Sequence, residues 1–189
     1  LLEVKLTNGN CDIMLGTSSG RAIRFEEKQV RPMGRGATGV RGIRIKDDGK
    51  DQVVGMVCID RDKEEPTILT VSQKGYGKRT NLTEYRCINR GGKGVTTMNL
   101  TDKTGELIAL KEVTIDNGLM IINKSGITIR MGLEDVAVRG RNTQGVKLID
   151  LRGEDEIASI AKIPIIEEEE EVAIELTIDL EEATAETEN

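Results

Sequence analysis

Six arginines recur at two fixed places in a repeated pattern, an arrangement suited to gripping a row of phosphates. Gly20, Gly75 and Gly126 each precede a second glycine by 19 residues, at Gly39, Gly94 and Gly145, and a valine follows each second glycine. Four residues after the first glycine stand Arg24, Arg79 and Arg130; fifteen after it stand Arg35, Arg90 and Arg141. A strand core does not demand an arginine at the same place three times. A polyanion contacted once per repeat does. Guanidinium forks match phosphate oxygens in geometry, and phosphate contacts hold a nucleic acid without reading its sequence. A competing role for these arginines is to tie neighbouring repeats together through salt bridges.

Other cations cluster around the same places. Lys93 lies in the second glycine-rich loop, Lys78 precedes Arg79, and Arg31, Arg41, Arg44, Arg86 and Lys147 flank the loops. The candidate nucleic-acid contacts are therefore Arg24, Arg31, Arg35, Arg41, Arg44, Lys78, Arg79, Arg86, Arg90, Lys93, Arg130, Arg141 and Lys147. Aromatic residues are few: Phe25, Tyr76 and Tyr85. Stacking on aromatic rings is the usual way to hold single strands, so this composition favours a duplex gripped by its backbone.

The remaining constellations lead away from catalysis. Gly34-Arg-Gly36-Ala-Thr-Gly39 matches a dinucleotide-binding signature in letters. That signature needs a strand before the loop and a helix after it. Here a strand pattern follows (Val40, Ile43, Ile45), and the other repeats keep only the last glycine. The run Asp60-Arg-Asp62-Lys-Glu64-Glu65 lacks the glycine and distal glutamate of a calcium loop and reads as a solvated connection. There is no histidine, and Cys11, Cys58 and Cys87 are far apart with no CxxC pair, so zinc and disulfide frameworks are not indicated. No catalytic residue, no metal site and no cofactor is expected in this chain.

The elements that must position the arginines are short strands. Alternation of apolar and polar residues marks Ile23 and Phe25, and short apolar runs bounded by turn signals mark Ile68 to Val71, Leu119 to Ile122 and their neighbours. Each repeat reads as four such strands over roughly 50 residues, with no stretch long and periodic enough for a helix. Repeated four-stranded units of that length mark propeller-like folds. The expected fold is all-β, with about three propeller-like blades at residues 11–65, 66–117 and 118–166, preceded at residues 1–10 by the end of an earlier blade. Leu2, Val4 and Leu6 alternate as a strand leading to an Asn8-Gly9 turn, so the chain reads as a fragment that starts inside another unit. In this reading Arg24 is out of phase with Ile23 and Phe25 and should face solvent.

Charge divides the chain. The formal net charge is −6, but eleven of the 33 acidic residues lie between Glu167 and Asn189, a stretch without Lys or Arg. The preceding residues therefore carry 27 basic against 22 acidic side chains, a balance that suits a nucleic-acid partner. Residues 167–189 read as an acidic tail, either solvated, paired as an edge strand through the alternation from Val172 to Leu180, or lying on the basic body in competition with nucleic acid. No apolar run approaches membrane-span length.

Arg31-Pro-Met-Gly-Arg-Gly-Ala-Thr-Gly-Val-Arg-Gly-Ile43, Gly75-Tyr-Gly-Lys-Arg-Thr80 and Gly140-Arg-Asn-Thr-Gln-Gly-Val146 resemble the C-terminal domain of the DNA gyrase A subunit over roughly residues 1–163. The resemblance implies a β-pinwheel, whose blades exchange strands with their neighbours. It also implies a bacterial, cytoplasmic, nucleoid-associated type II topoisomerase with an A2B2 assembly of A and B subunits. The domain's part would be to wrap double-stranded DNA on its basic rim without catalysing a reaction. ATP, Mg and the cleaving tyrosine would belong elsewhere in the complex, leaving Tyr76 and Tyr85 without a nucleophilic role. Arg90-Gly-Gly-Lys-Gly94 matches the last five positions of the family's wrapping signature, with Ile88 and Asn89 departing at its first two. The alternative is a propeller-like protein-interaction scaffold with an acidic regulatory tail.

Overall fold

Short apolar or alternating runs, punctuated by glycine turns, produce eleven short strands among the described residues. A computed structural model describes residues 1–45, 49–62 and 66–164. The acidic tail, Asp47 and Asp48 (which with Gly49 read as a turn in the sequence) and the Glu64-Glu65 end of the carboxylate run lie outside the described residues. The strands are β1 (Cys11–Thr17), β2 (Arg21–Glu26), β3 (Val53–Asp60), β4 (Thr67–Ser72), β5 (Tyr76–Asn81), β6 (Val95–Thr96), β7 (Leu107–Val113), β8 (Asn117–Asn123), β9 (Thr128–Gly132), β10 (Val146–Lys147) and β11 (Ile157–Pro164). Helical structure among the described residues is confined to single 3-10 turns at Glu27–Gln29 and Leu82–Glu84.

The sheets do not follow the repeat boundaries. Their strand orders are β3-β1-β2-β6, β10-β5-β4-β7 and β11-β8-β9; the pairings between these strands are antiparallel, while isolated parallel bridges join Arg24 to Cys87 and Arg79 to Val138. The short strand after the second and third glycine loops therefore completes the blade of the preceding repeat: Val95 pairs with Ala22, and Val146 with Gly77. This is the strand exchange of a β-pinwheel. It places the glycine loops at blade edges, where one repeat crosses into the next.

Gly94 and Gly145 make that crossing possible. Their φ angles are +66° and +81°, a region that a side chain disfavours. A Cβ would also lie 2.3 Å from Ala22 O at Gly94 and 2.4 Å from Gly77 O at Gly145. Gly145→Ala is expected to destabilise the fold by about 2–3 kcal/mol through combined strain and overlap. Thermal melting would register this, and amide exchange at Leu148, whose N–H donates to Gly75 O at 2.8 Å, would rise with it.

The core lies between blades. Met14, Val57 and Ile59 of the first blade pack with Ile68, Leu82 and Leu110 of the second. Leu69, Val71 and Val113 of the second pack with Leu119, Ile121 and Ile160 of the third. The other face of the first blade gathers Ile13, Ile23, Phe25 and Ile43. Both faces of β1 are consequently covered, and six of its seven residues are buried.

Two expected strands are absent. Leu2, Val4 and Leu6 are exposed and in no strand; in their vicinity Glu3 Oε2 accepts a hydrogen bond from Met56 N at 3.0 Å. Residues 40–45 also form no strand. Their counterparts β6 and β10 obtain ladder partners from the preceding repeat, whereas residues 1–10 contain no strand to pair with. Ile43 instead packs against the first blade.

Candidate nucleic-acid interface

The repeated arginines sit where repeats meet, and most of them reach across the joint. Arg24 on β2 donates from Nη1 to Leu82 O at 3.3 Å and Tyr85 O at 3.1 Å in the next repeat. Its Nε binds Asp12 Oδ2 at 2.7 Å. Arg79, the same position on β5, donates from Nε to Val136 O at 2.8 Å. Tyr85 and Val136 are equivalent, each ten residues after its repeat's first glycine. The expectation that Arg24 faces solvent is thus corrected. Its face of the strand is covered by the following repeat, which leaves the side chain 16% exposed.

The loop arginines reach in the opposite direction. Arg90 N donates to Gln29 Oε1 at 3.0 Å, and its Nη1 donates to Arg41 O at 3.0 Å. Arg141 N donates to Glu84 Oε2 at 3.0 Å, and its Nη1 donates to Thr96 O at 2.9 Å. Gln29 and Glu84 are equivalent positions, as are Arg41 and Thr96. Each joint is therefore held by one arginine reaching forward and one reaching back. Backbone carbonyls are the main acceptors, so inter-repeat salt bridges describe the contact incompletely. Where the acceptor is a neutral carbonyl, as at Arg79 and Arg90, the guanidinium keeps its positive charge at the blade edge.

The other candidates divide by exposure. Arg31, Arg35, Arg41, Arg44, Arg86, Lys93, Arg130 and Lys147 are exposed. Lys147 forms an ion pair with Asp150. Arg44 N donates to Gly92 O at 2.8 Å and Gly91 N donates to Gly42 O. These bonds bring the first two glycine loops side by side and set Arg41 and Arg44 near Lys93. Lys78 is fully buried, so it cannot contact a phosphate from where it stands.

Three features escape the sequence pattern. Arg21 holds the second loop from below, donating from Nε to Lys93 O at 2.7 Å and from Nη2 to Gly94 O at 2.8 Å. It has Tyr76 and Ile127 at the equivalent places, so no repeat signal marks it. Arg139 is exposed beside the third loop, and its N–H donates to Arg79 O at 2.8 Å. Asp12 is buried between Arg24 and Arg61.

Nothing in the geometry assembles reactive chemistry. Phe25 and Tyr85 are buried, and Tyr76 lies under Lys103 Nζ, 5.3 Å from the ring centre. Burial pushes all three thiols up, Cys58 to about 11. Among the described residues, no group of three His, Cys, Asp or Glu side chains could hold a metal ion. No helix among them is long and apolar enough to cross a membrane.

Residues 12–60, 66–114 and 119–164 each match one family, described as DNA gyrase C-terminal domain, beta-propeller. The chain belongs to that family. Each match covers one repeat, from its first strand to its last. The DNA gyrase A subunit of Staphylococcus epidermidis is 40% identical over 163 residues, covering 86% of this chain and 18% of that protein. Its counterpart in Staphylococcus aureus shows the same identity and coverage. The chain thus spans less than a fifth of the length of these relatives. A solved structure of the DNA gyrase A C-terminal domain superposes with a TM-score of 0.73 at 27% identity, covering 82% of this chain and 51% of that one. The C-terminal domain of DNA topoisomerase IV superposes with a TM-score of 0.78 at 23% identity, covering 86% and 49%, which supports the fold. Within the gyrase domain family, then, four of the six recurrent arginines of this chain, Arg24, Arg79, Arg90 and Arg141, act first as joints between blades.

Proposed function

We propose that this chain is a non-catalytic DNA-binding and DNA-wrapping part of a gyrase-type topoisomerase, carrying duplex DNA on its blade edges to support ATP-dependent negative supercoiling. The observation that carries this reading is the grouping of exposed cations on adjoining glycine loops, with Arg41, Arg44 and Lys93 at the joint of the first two. The scarcity of exposed aromatic side chains favours a duplex over single strands. Its partners in an A2B2 complex would be the rest of the gyrase A polypeptide and the gyrase B polypeptide. ATP and Mg would act there, with no cofactor bound by this chain, in the bacterial cytoplasm at the nucleoid.

The test is binding to duplexes of about 140 and about 20 base pairs across salt, each phosphate neutralised contributing about 0.9 to the logarithmic slope. A steeper slope on the long duplex is expected, together with tighter binding once residues 167–189 are removed. Equal, shallow slopes on both lengths would overturn the wrapping role. They would favour a protein-interaction scaffold, a reading supported by the arginines already committed to carbonyls at the joints.

A further inference from the structure

Lys78 occupies a position that is isoleucine in the other two repeats, Ile23 and Ile129. Ile23 is buried against the second glycine loop, its Cδ1 3.7 Å from where a Cβ on Gly92 would lie. Lys78 is equally buried, but its Nζ donates to Gly140 O at 2.6 Å, Arg141 O at 2.7 Å and Thr143 Oγ1 at 3.2 Å. All three acceptors belong to the third glycine loop. A buried ammonium without such partners would be costly; with them it is a cation around which the loop is folded. The same loop is also held at Arg139 O, which accepts from Thr80 Oγ1 at 2.9 Å, and at Thr143 O, which accepts from Asn99 N at 3.1 Å.

We propose that Lys78 is a positioning residue for the DNA-binding edge: its ammonium draws the Gly140 and Arg141 carbonyls inward and so fixes the loop that presents Arg139 and leads into Lys147. This rests on the duplex-binding reading. Carbonyl oxygens turned toward a buried cation are turned away from an approaching phosphate, which removes repulsion from the loop's outer side. The arrangement also makes the edge sensitive to pH. Burial pushes Lys78 down to about 8; Glu84, on the 3-10 turn, opposes the shift, and Arg141, on the loop, adds to it. From the adjoining strands, β4 sets the uncharged Thr70 opposite Lys78, and β10 brings Lys147 opposite Tyr76. Above that pH the ammonium becomes a neutral amine and its hold on the carbonyls weakens. A bound duplex, being polyanionic, favours the protonated form.

The test uses the full 189-residue chain and a duplex long enough to span the edge, with affinity measured from pH 7 to 9.5. Wild-type affinity is expected to fall as pH rises through about 8. K78I, which installs the residue of the other repeats, is expected to bind about tenfold more weakly at pH 7, the scale of one charged hydrogen bond, and to lose the pH step. Amide exchange in residues 140–145 should rise in K78I and in wild-type protein at pH 9.5. Should K78I fold poorly, wild-type protein alone decides through its pH profile and loop exchange. Wild-type binding without a step near pH 8, or a step that persists in K78I, overturns the proposal. If wild-type protein shows no salt-dependent duplex binding at pH 7, the duplex-binding reading itself fails, whatever the loop exchange shows.

Discussion

Asp12→Ala is expected to lower stability by about 3 kcal/mol, because it leaves a largely buried guanidinium without its counter-charge. Asp12 is 1% exposed; its Oδ2 accepts from Arg24 Nε at 2.7 Å and its Oδ1 from Arg61 Nε at 2.8 Å. Arg61 has a second partner in Glu26, at 3.1 Å, and its own side chain is one-third exposed. Most of the cost therefore falls on Arg24. Arg24 in turn donates to Leu82 O and Tyr85 O, so disorder at Asp12 spreads to the joint between the first two blades. A loss of that size lowers Tm by roughly 6–12 °C in a chain of this length. Asp12→Asn, which keeps an acceptor of the same shape, is expected to lose less. A Tm within about 1 °C of wild type for Asp12→Ala would mean that the carbonyl contacts alone hold Arg24.

The repeat is legible because glycine and arginine recur at fixed spacing, and that spacing survives any error about strand boundaries. β4, for example, runs from Thr67 to Ser72, around the Ile68 to Val71 run that marks it in the sequence. Destination is harder to read than existence. Periodicity places Arg24 opposite Ile23 and Phe25, but only the stacking of blades decides that the opposite face is covered too. The third strand of each repeat reads as local, whereas Val95 and Val146 pair with the repeat before. Pairing across repeats leaves no periodic trace in the strand itself. Lys78 misleads for a related reason: a lysine beside an arginine looks like surface charge, and the acceptors that let it be buried lie more than 60 residues away in sequence. The one signal against that reading is the isoleucine at the two equivalent positions, a sign that the site is core.

Separating joint arginines from edge cations gives the largest expected change in binding. Reversing Arg35, Arg90 and Arg141 together would mix the two classes, since Arg35 is exposed while Arg90 and Arg141 hold neighbouring repeats. Weakened binding by that variant would not distinguish lost contact from lost structure. Arg41, Arg44 and Lys93 are the better set: each is exposed, and each meets the neighbouring repeat through a backbone atom, Lys93 through its carbonyl on Arg21 of β2, which a side-chain change spares. Changing all three to alanine is expected to reduce the logarithmic salt slope by about 2.7 and duplex affinity by about a hundredfold or more near 0.1 M salt. The loss should be alike for all sequences, because phosphate contacts carry no base information. Stability should move by no more than about 0.5 kcal/mol, as for other surface substitutions. Arg24→Ala combined with Arg79→Ala should do the reverse, lowering Tm first and changing the salt slope little in whatever fraction remains folded. Were the edge triple to melt early while the joint pair lost its salt dependence, the roles of joint and edge would have to be exchanged.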